Sequence, residues 1–246
     1  RTTSRFKEGG SYNGTTIATV ETSYTYDAAG RTLSQTRSAG GLSETTDSEY
    51  DLAGRVTKRT SAQGLITTRT YSSDSRIDTT VYPNTATTIT ETHLDGRIKS
   101  VTGTAQTPMY YTYGVNLNGS QWVQVNVGSI SSARWTKNTN DLLDRIVKTE
   151  RPNTKGNVTV TENFYNNKGR LVKASTKDDS ATKLIADTLK EYNELGQLTR
   201  VGKDLDDNGQ LDLASMDRIT EKEGSYSQES NTWFLESSKK VRSNQR

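Results

Sequence analysis

The sequence predicts an all-β protein made of antiparallel hairpin repeats, and three observations carry the prediction. The first is alternation. In TVETSYTY, Val20, Thr22, Tyr24 and Tyr26 share one face, and Thr19, Glu21, Ser23 and Thr25 the other. In NVTVTENFY, Val158, Val160, Glu162 and Phe164 keep the same register. A period of two belongs to strands, and a face of rings and branched side chains backed by Thr, Ser and charge suits a sheet wetted on one side. The second is composition: Thr is abundant, with 12 Tyr and only 3 Pro. The third is a recurring turn, Asp or Asn followed three places on by Gly and then by Arg.

Hydrophobic residues make up 30% of the 246, below the usual globular share. Disordered chains are short of aromatic and β-branched residues, whereas Thr and Tyr favour half-exposed sheet, so the shortage means a thin core. The formal charge is +3, from 32 basic and 29 acidic residues well interspersed. That is not the dense basic patch a nucleic-acid partner requires. No apolar run approaches the length of a membrane span. The absence of Cys excludes thiol catalysis, disulfides and thiolate metal sites, and leaves the compartment open. The start at Arg1 and the polar tail SSKKVRSNQR lead us to expect flanking polypeptide.

Taken in order, residues 1–22 form a leading strand region, as part of a preceding repeat. Residues 23–101 hold the repeats SYTYDAAGRTLSQT, DSEYDLAGRVTKRT, TRTYSSDSRIDTTV and TETHLDGRIKSV. Tyr26 and Tyr50 stand 24 residues apart, Tyr50 and Tyr71 21, and Tyr165 and Tyr192 27, which allows two short strands and two turns per unit. Asp27 is placed to accept N–H bonds from its own turn, and Gly30 supplies the positive φ that closes a three-residue loop with a bulge. Asp51 with Gly54, Asn166 with Gly169, and Asn193 with Gly196 repeat the device. Arg31, Arg55 and Arg170 follow their turns, each able to stack on a neighbouring Tyr ring or pair with a turn carboxylate; Gln197 takes this place in the last unit.

Residues 102–138 break the pattern with an aromatic stretch around a hairpin at Asn118–Gly119, expected to project from the array or plug it. Trp122, Trp135, Tyr110, Tyr111 and Tyr113 have two readings, as platforms for a sugar or peptide or as core, and the scarcity of aliphatics favours core. Residues 139–202 return to the repeat. DDSATKLIADTLKEY has some helical character, but the repeat demands a strand before Tyr192. Residues 203–219 form an acidic loop in which LASMDRI is expected to make one or two helical turns, and residues 220–246 a terminal strand and polar tail.

In that loop, DLDDNGQLD places Asp204, Asp206 and Asn208 at alternate positions, then Gly209, the Gln210 carbonyl and Asp212, as in a calcium-binding loop of EF-hand type. Ser215 stands where such a loop wants a bidentate Glu, and Asp217 is the substitute. The expected cofactor is a structural Ca²⁺; the alternative is an acidic, solvated turn with Asx caps. His93, the only histidine, is read as filling a Tyr position. No nucleophile-elbow motif accompanies it, and Glu21, Glu44 and Glu49 fall on the wet face, so no enzyme is expected.

YDAAGR at Tyr26–Arg31 and YDLAGR at Tyr50–Arg55 resemble the YD repeat of bacterial Rhs proteins, shared with the C components of insecticidal toxin complexes and with teneurins. FYNNKGRLVK and EYNELGQLTR are similar to it, HLDGRIK looks like a shortened turn, and YSSDSRI lacks the Gly. The resemblance implies antiparallel hairpin repeats in a curved strip or partial shell. It implies a non-catalytic scaffold segment of a large secreted or surface protein, enclosing or presenting a partner polypeptide such as an encapsulated toxin. A carbohydrate-binding or adhesion module is the alternative, and a polysaccharide-active enzyme a weaker one. The expected partners are flanking repeats or another chain covering the strip edges, and glycans.

Overall fold

The computed structural model describes residues 2–8, 11–12, 15–16, 20–154, 156–229 and 232–243, with side chains for 20–154, 156–222 and 238–242. It is all-β, with no helix among the described residues and so none long and apolar enough to cross a membrane. The chain divides into two compact units, Arg1–Tyr110 and Tyr111–Arg246.

The first unit contains β1 (Thr2–Glu8), the short pair β2 (Ser11–Tyr12) and β3 (Thr15–Thr16), β4 (Val20–Tyr26), β5 (Thr32–Ala39), β6 (Leu42–Tyr50), β7 (Val56–Thr60), β8 (Ile66–Tyr71), β9 (Ile77–Val81), β10 (Thr87–Thr92) and β11 (Ile98–Thr102). From β4 to β11 each strand pairs antiparallel with the next, and β1 lies against β4. After β12 (Met109–Val115), the second unit continues with β13 (Gln121–Val127), β14 (Trp135–Asn140), β15 (Ile146–Pro152), β16 (Val158–Tyr165), β17 (Leu171–Asp178), β18 (Lys183–Tyr192), β19 (Leu198–Asp204), β20 (Arg218–Glu229) and β21 (Thr232–Ser243). From β13 onward these too pair antiparallel in sequence order.

Three expectations are corrected. The aromatic stretch does not leave the sheet of the second unit: β13 is hydrogen-bonded along its length to β14, and the turn before it, Asn116–Ser120, closes with the same two backbone bonds as the Asp27 turn. Residues 213–219 form no helical turn; Arg218 already begins β20, because the strand ladder with β19 claims the backbone groups of Arg218 and Ile219. His93 does not take the Tyr place. Its N–H bonds the Arg97 carbonyl and its own carbonyl accepts from Gly96, so it fills the Asp position of a full-length turn, and Thr92 stands where Tyr would.

The core is as thin as the composition implies. Val160, Leu189, Leu211 and Ile219 are the buried hydrophobics among the described residues. Leu189, Gly202 and Ile219 are register partners across β18, β19 and β20, and Leu211 from the acidic loop lies over Gly202. A Cβ on Gly202 would meet Leu211 Cδ2 at 2.7 Å and the Arg218 carbonyl oxygen at 2.8 Å, so the position has no room for a side chain.

Candidate functional site

Two constellations were singled out by sequence, the repeat turn and the acidic loop. In the turn, Asp27 N–H donates to the Arg31 carbonyl and Gly30 N–H to the Asp27 carbonyl. The Asp27 carboxylate accepts from Ala29 N–H and Arg31 N–H at 2.9 Å each and from Arg31 Nε at 2.6 Å. Asp51 treats Arg55 in the same way, and Asp141 treats Arg145 so. Asn166 caps Arg170 N–H and Asn193 caps Gln197 N–H, through their side-chain oxygens. The Asp27 and Asp51 carboxyls are held below the usual carboxylate value, chiefly by the backbone N–H of Arg31 and Arg55 and then by the guanidinium. For Asp141 the Arg145 guanidinium is the leading cause.

Next to each of these turns the register slips. Tyr26 faces Thr32 while Thr25 faces Ser34, so Leu33 is an extra residue; the same bulge recurs beside Tyr50, Thr92, Asn140, Tyr165 and Tyr192. A bulge takes a carbonyl out of the regular ladder, and the following repeat answers it. Tyr50 Oη donates to the Thr32 carbonyl at 2.8 Å, Tyr71 to Val56 at 3.0 Å, Tyr165 to Ile146 at 2.9 Å and Tyr192 to Leu171 at 2.9 Å. The Arg of the earlier turn stacks on that same ring: Arg31 on Tyr50 at 4.9 Å, Arg55 on Tyr71 at 4.1 Å, Arg145 on Tyr165 at 4.6 Å and Arg170 on Tyr192 at 5.7 Å from the centroid. Arg31 Nη1 also reaches the Asp51 carbonyl at 3.0 Å. Tyr, Asp, Gly and Arg therefore form one device that ties each hairpin to the next. At Gly196 the Arg170 guanidinium occupies the space of a Cβ, a second reason for Gly there besides its φ of 88°.

Turns of the same form escaped the sequence reading at Ser61–Leu65, Tyr82–Ala86, Asn153–Asn157 and Asp178–Thr182. Two of them keep a visible Gly, Gly64 and Gly156, but Thr85 and Ala181 adopt positive φ without one, so no glycine marks them. Asp144 plays this part in the Asp141 turn and Ser75 in the Ser72 turn.

In the acidic loop, Asp204, Asp206 and Asp217 bring one carboxylate oxygen each within 4.8 Å of one another. Asp204 and Asp217 are buried, Asp206 exposed. Asp204 accepts from Asn208 N–H and Gly209 N–H, and Asp217 from Leu205 N–H and Asp212 N–H, so each spans the loop. Partial desolvation by the surrounding loop, followed by the charge of Asp217, raises the Asp206 carboxyl above its ordinary value. Asp212 stays outside the cluster, bonded to the Asn208 amide; the Asn208 side-chain oxygen accepts from Gln210 N–H. Sequence reading missed Asp187, buried on β18, whose carboxylate converges with Asp204 and Asp207. Its signal was an acid two residues from Leu189, on the inward face of an alternating strand.

Tyr110 belongs to the first unit, and Tyr111, Tyr113, Trp122 and Trp135 to the second. The Trp122 indole packs on Gly114, and Lys137 Nζ stands 4.3 Å from its ring centroid.

Compared with known proteins, the chain matches the family model described as Teneurin YD-shell over residues 5–185. No curated protein matches it. Among solved structures, the crystal structure of TcdB2-TccC3-Cdc42 is similar at 10% identity and a TM-score of 0.40, covering 97% of this chain and 19% of that one. The Photorhabdus luminescens Tc holotoxin pore is similar at 11% identity and a TM-score of 0.34, covering 93% of this chain and 13% of that one. This chain spans less than a fifth of the length of either.

Proposed function

Because this chain belongs to the teneurin YD-shell family, we propose that it is a non-catalytic segment of a larger secreted or surface shell, enclosing or presenting a partner polypeptide. The observation that carries this reading is the use made of the chemical side chains. The turn carboxylates are committed to closing their own turns, and the turn arginines and the hydroxyls of Tyr50, Tyr71, Tyr165 and Tyr192 to joining one hairpin to the next. A residue bonded on every side to its own backbone is a structural part, and a sheet stapled this way needs little core.

The natural partner is more of the same shell. Leu52 and Leu94 in the first unit, and Leu117, Leu142 and Leu195 in the second, stand almost fully exposed at turn tips. Flanking repeats or a second chain would cover these apolar tips. The sugar-platform alternative is weakened by Trp122, whose ring is engaged by Gly114 and Lys137.

The test is protease protection. When the chain is expressed with its flanking polypeptide, a segment outside the repeats should resist trypsin, and the same segment expressed alone should be cut rapidly. Equal cleavage in both forms would overturn enclosure.

A further inference from the structure

Water is excluded from three carboxylates in one place, where the loop after β19 folds back on the sheet. Asp187, Asp204 and Asp217 are 1%, 1% and 3% exposed. Asp187 and Asp204 are register partners on β18 and β19, two residues along from the Leu189–Gly202 pair, and Asp217 stands two residues before Ile219. An acidic row thus runs beside the apolar one. A buried carboxylate is stable only against a cation or a full set of hydrogen bonds.

The cations present do not suffice. Lys173 Nζ and Lys183 Nζ lie 2.6 and 3.2 Å from Asp187 Oδ2, and Lys183 also pairs with Asp207. These are ion pairs with one oxygen of Asp187, and neither of its buried oxygens has a hydrogen-bond partner of regular geometry. Asp204 is common to two convergent groups, Asp187–Asp204–Asp207 and Asp204–Asp206–Asp217, each with oxygens within 4.8 Å. Five carboxylates therefore face two lysines. Asp204 and Asp217 have no ion pair among the described residues, and each accepts two hydrogen bonds from backbone N–H groups.

We propose that the 205–217 loop is a calcium site, in which Asp204, Asp206 and Asp217 supply the carboxylate ligands and Asp187 backs Asp204 from the neighbouring strand. The donors are all oxygen, which selects a hard cation over zinc. Calcium accepts an irregular ring of carboxylates and carbonyls, whereas magnesium demands near-ideal octahedral geometry and keeps its water. Asp204 ends β19 and Asp217 immediately precedes β20. One ion on both pins the two ends of the loop and holds Leu211 over the apolar row, so binding is coupled to stability.

Calcium chloride titrated by calorimetry into the chelator-treated 246-residue chain should give saturable one-to-one binding and a raised Tm, with magnesium at least tenfold weaker. Asp206→Asn changes an exposed side chain and should weaken calcium binding tenfold or more, with the circular dichroism spectrum unchanged. Asp212→Asn should leave the affinity within threefold. Absence of saturable heat together with an unchanged Tm would overturn the site. Wild-type affinity in Asp206→Asn, or an equal loss in Asp212→Asn, would overturn the ligand assignment. Should Asp206→Asn not fold, terbium luminescence on the wild-type chain decides: displacement by calcium supports the site, and no bound terbium refutes it.

Discussion

Tyr50 acts twice on the same neighbouring turn, its ring under the Arg31 guanidinium and its hydroxyl on the Thr32 carbonyl. Tyr50→Phe separates the two roles, keeping the ring and leaving the carbonyl without its donor. Urea denaturation should show a loss of about 1 kcal/mol, the usual net worth of such a bond; a variant as stable as wild type would mean that water replaces the hydroxyl at no cost. Thr85 presents the opposite case. It is β-branched and holds φ at 66°, where an L-residue is strained by about 1–2 kcal/mol. Thr85→Gly relieves that strain and adds chain entropy to the unfolded state, at about 0.5–1 kcal/mol. The expected outcome is a small net gain, read from the same denaturation curve, and a net loss would show that the Thr side chain has contacts worth more than the strain.

The hairpin turn is the element that answers to pH. Asp74 is held at about 2 by the Ser72 hydroxyl first and then by the Arg76 guanidinium and N–H. Asp27, Asp51, Asp95 and Asp141 are lowered as well. Their folded-state values lie below the unfolded ones, so the stability they give is complete above about pH 4 and is lost as pH falls through the folded values. Tm followed by circular dichroism should be level from neutral pH down to about pH 4 and then fall toward pH 2. A Tm independent of pH across that window would show that the caps contribute nothing. The Asp, Gly and Arg of this element were legible in sequence because each bonds within five residues. The bulge beside it was not, since an extra residue is defined only against a partner strand. His93 shows the same limit: one residue of frame, invisible without the partner Ile98 opposite Thr92, moves it from the Tyr place to the Asp place.

At the scale of the molecule, the second unit has a small buried apolar cluster among the described residues. Leu189, Leu211 and Ile219 form its buried cluster, and Leu211 arrives from the loop rather than from a strand. Leu211→Ala removes a third of that cluster and should cost about 2–3 kcal/mol. Hydrogen exchange should locate the loss in the amides of β18, β19 and β20, while those of β5 to β9 in the first unit keep their protection. Unchanged exchange in β18 to β20 would mean that the apolar row does not anchor the unit.

By itself the sequence determined the all-β class, the turn device and the family, because alternation and turn chemistry are local and repeat along the chain. Only the tertiary structure decided how the repeats are tied together: Tyr50 reaches Thr32 and Arg31 reaches Asp51 across strands whose register the turns and bulges set. It also decided which acids meet. The spacing in DLDDNGQLD pointed to Asp204, Asp206 and Asp212, with Asp217 as the substitute, whereas the structure leaves Asp212 outside the cluster and pairing of β18 with β19 brings Asp187 against Asp204. Spacing along a loop states which oxygens are available. Which of them are buried together depends on strand register, and register is a property of the folded sheet.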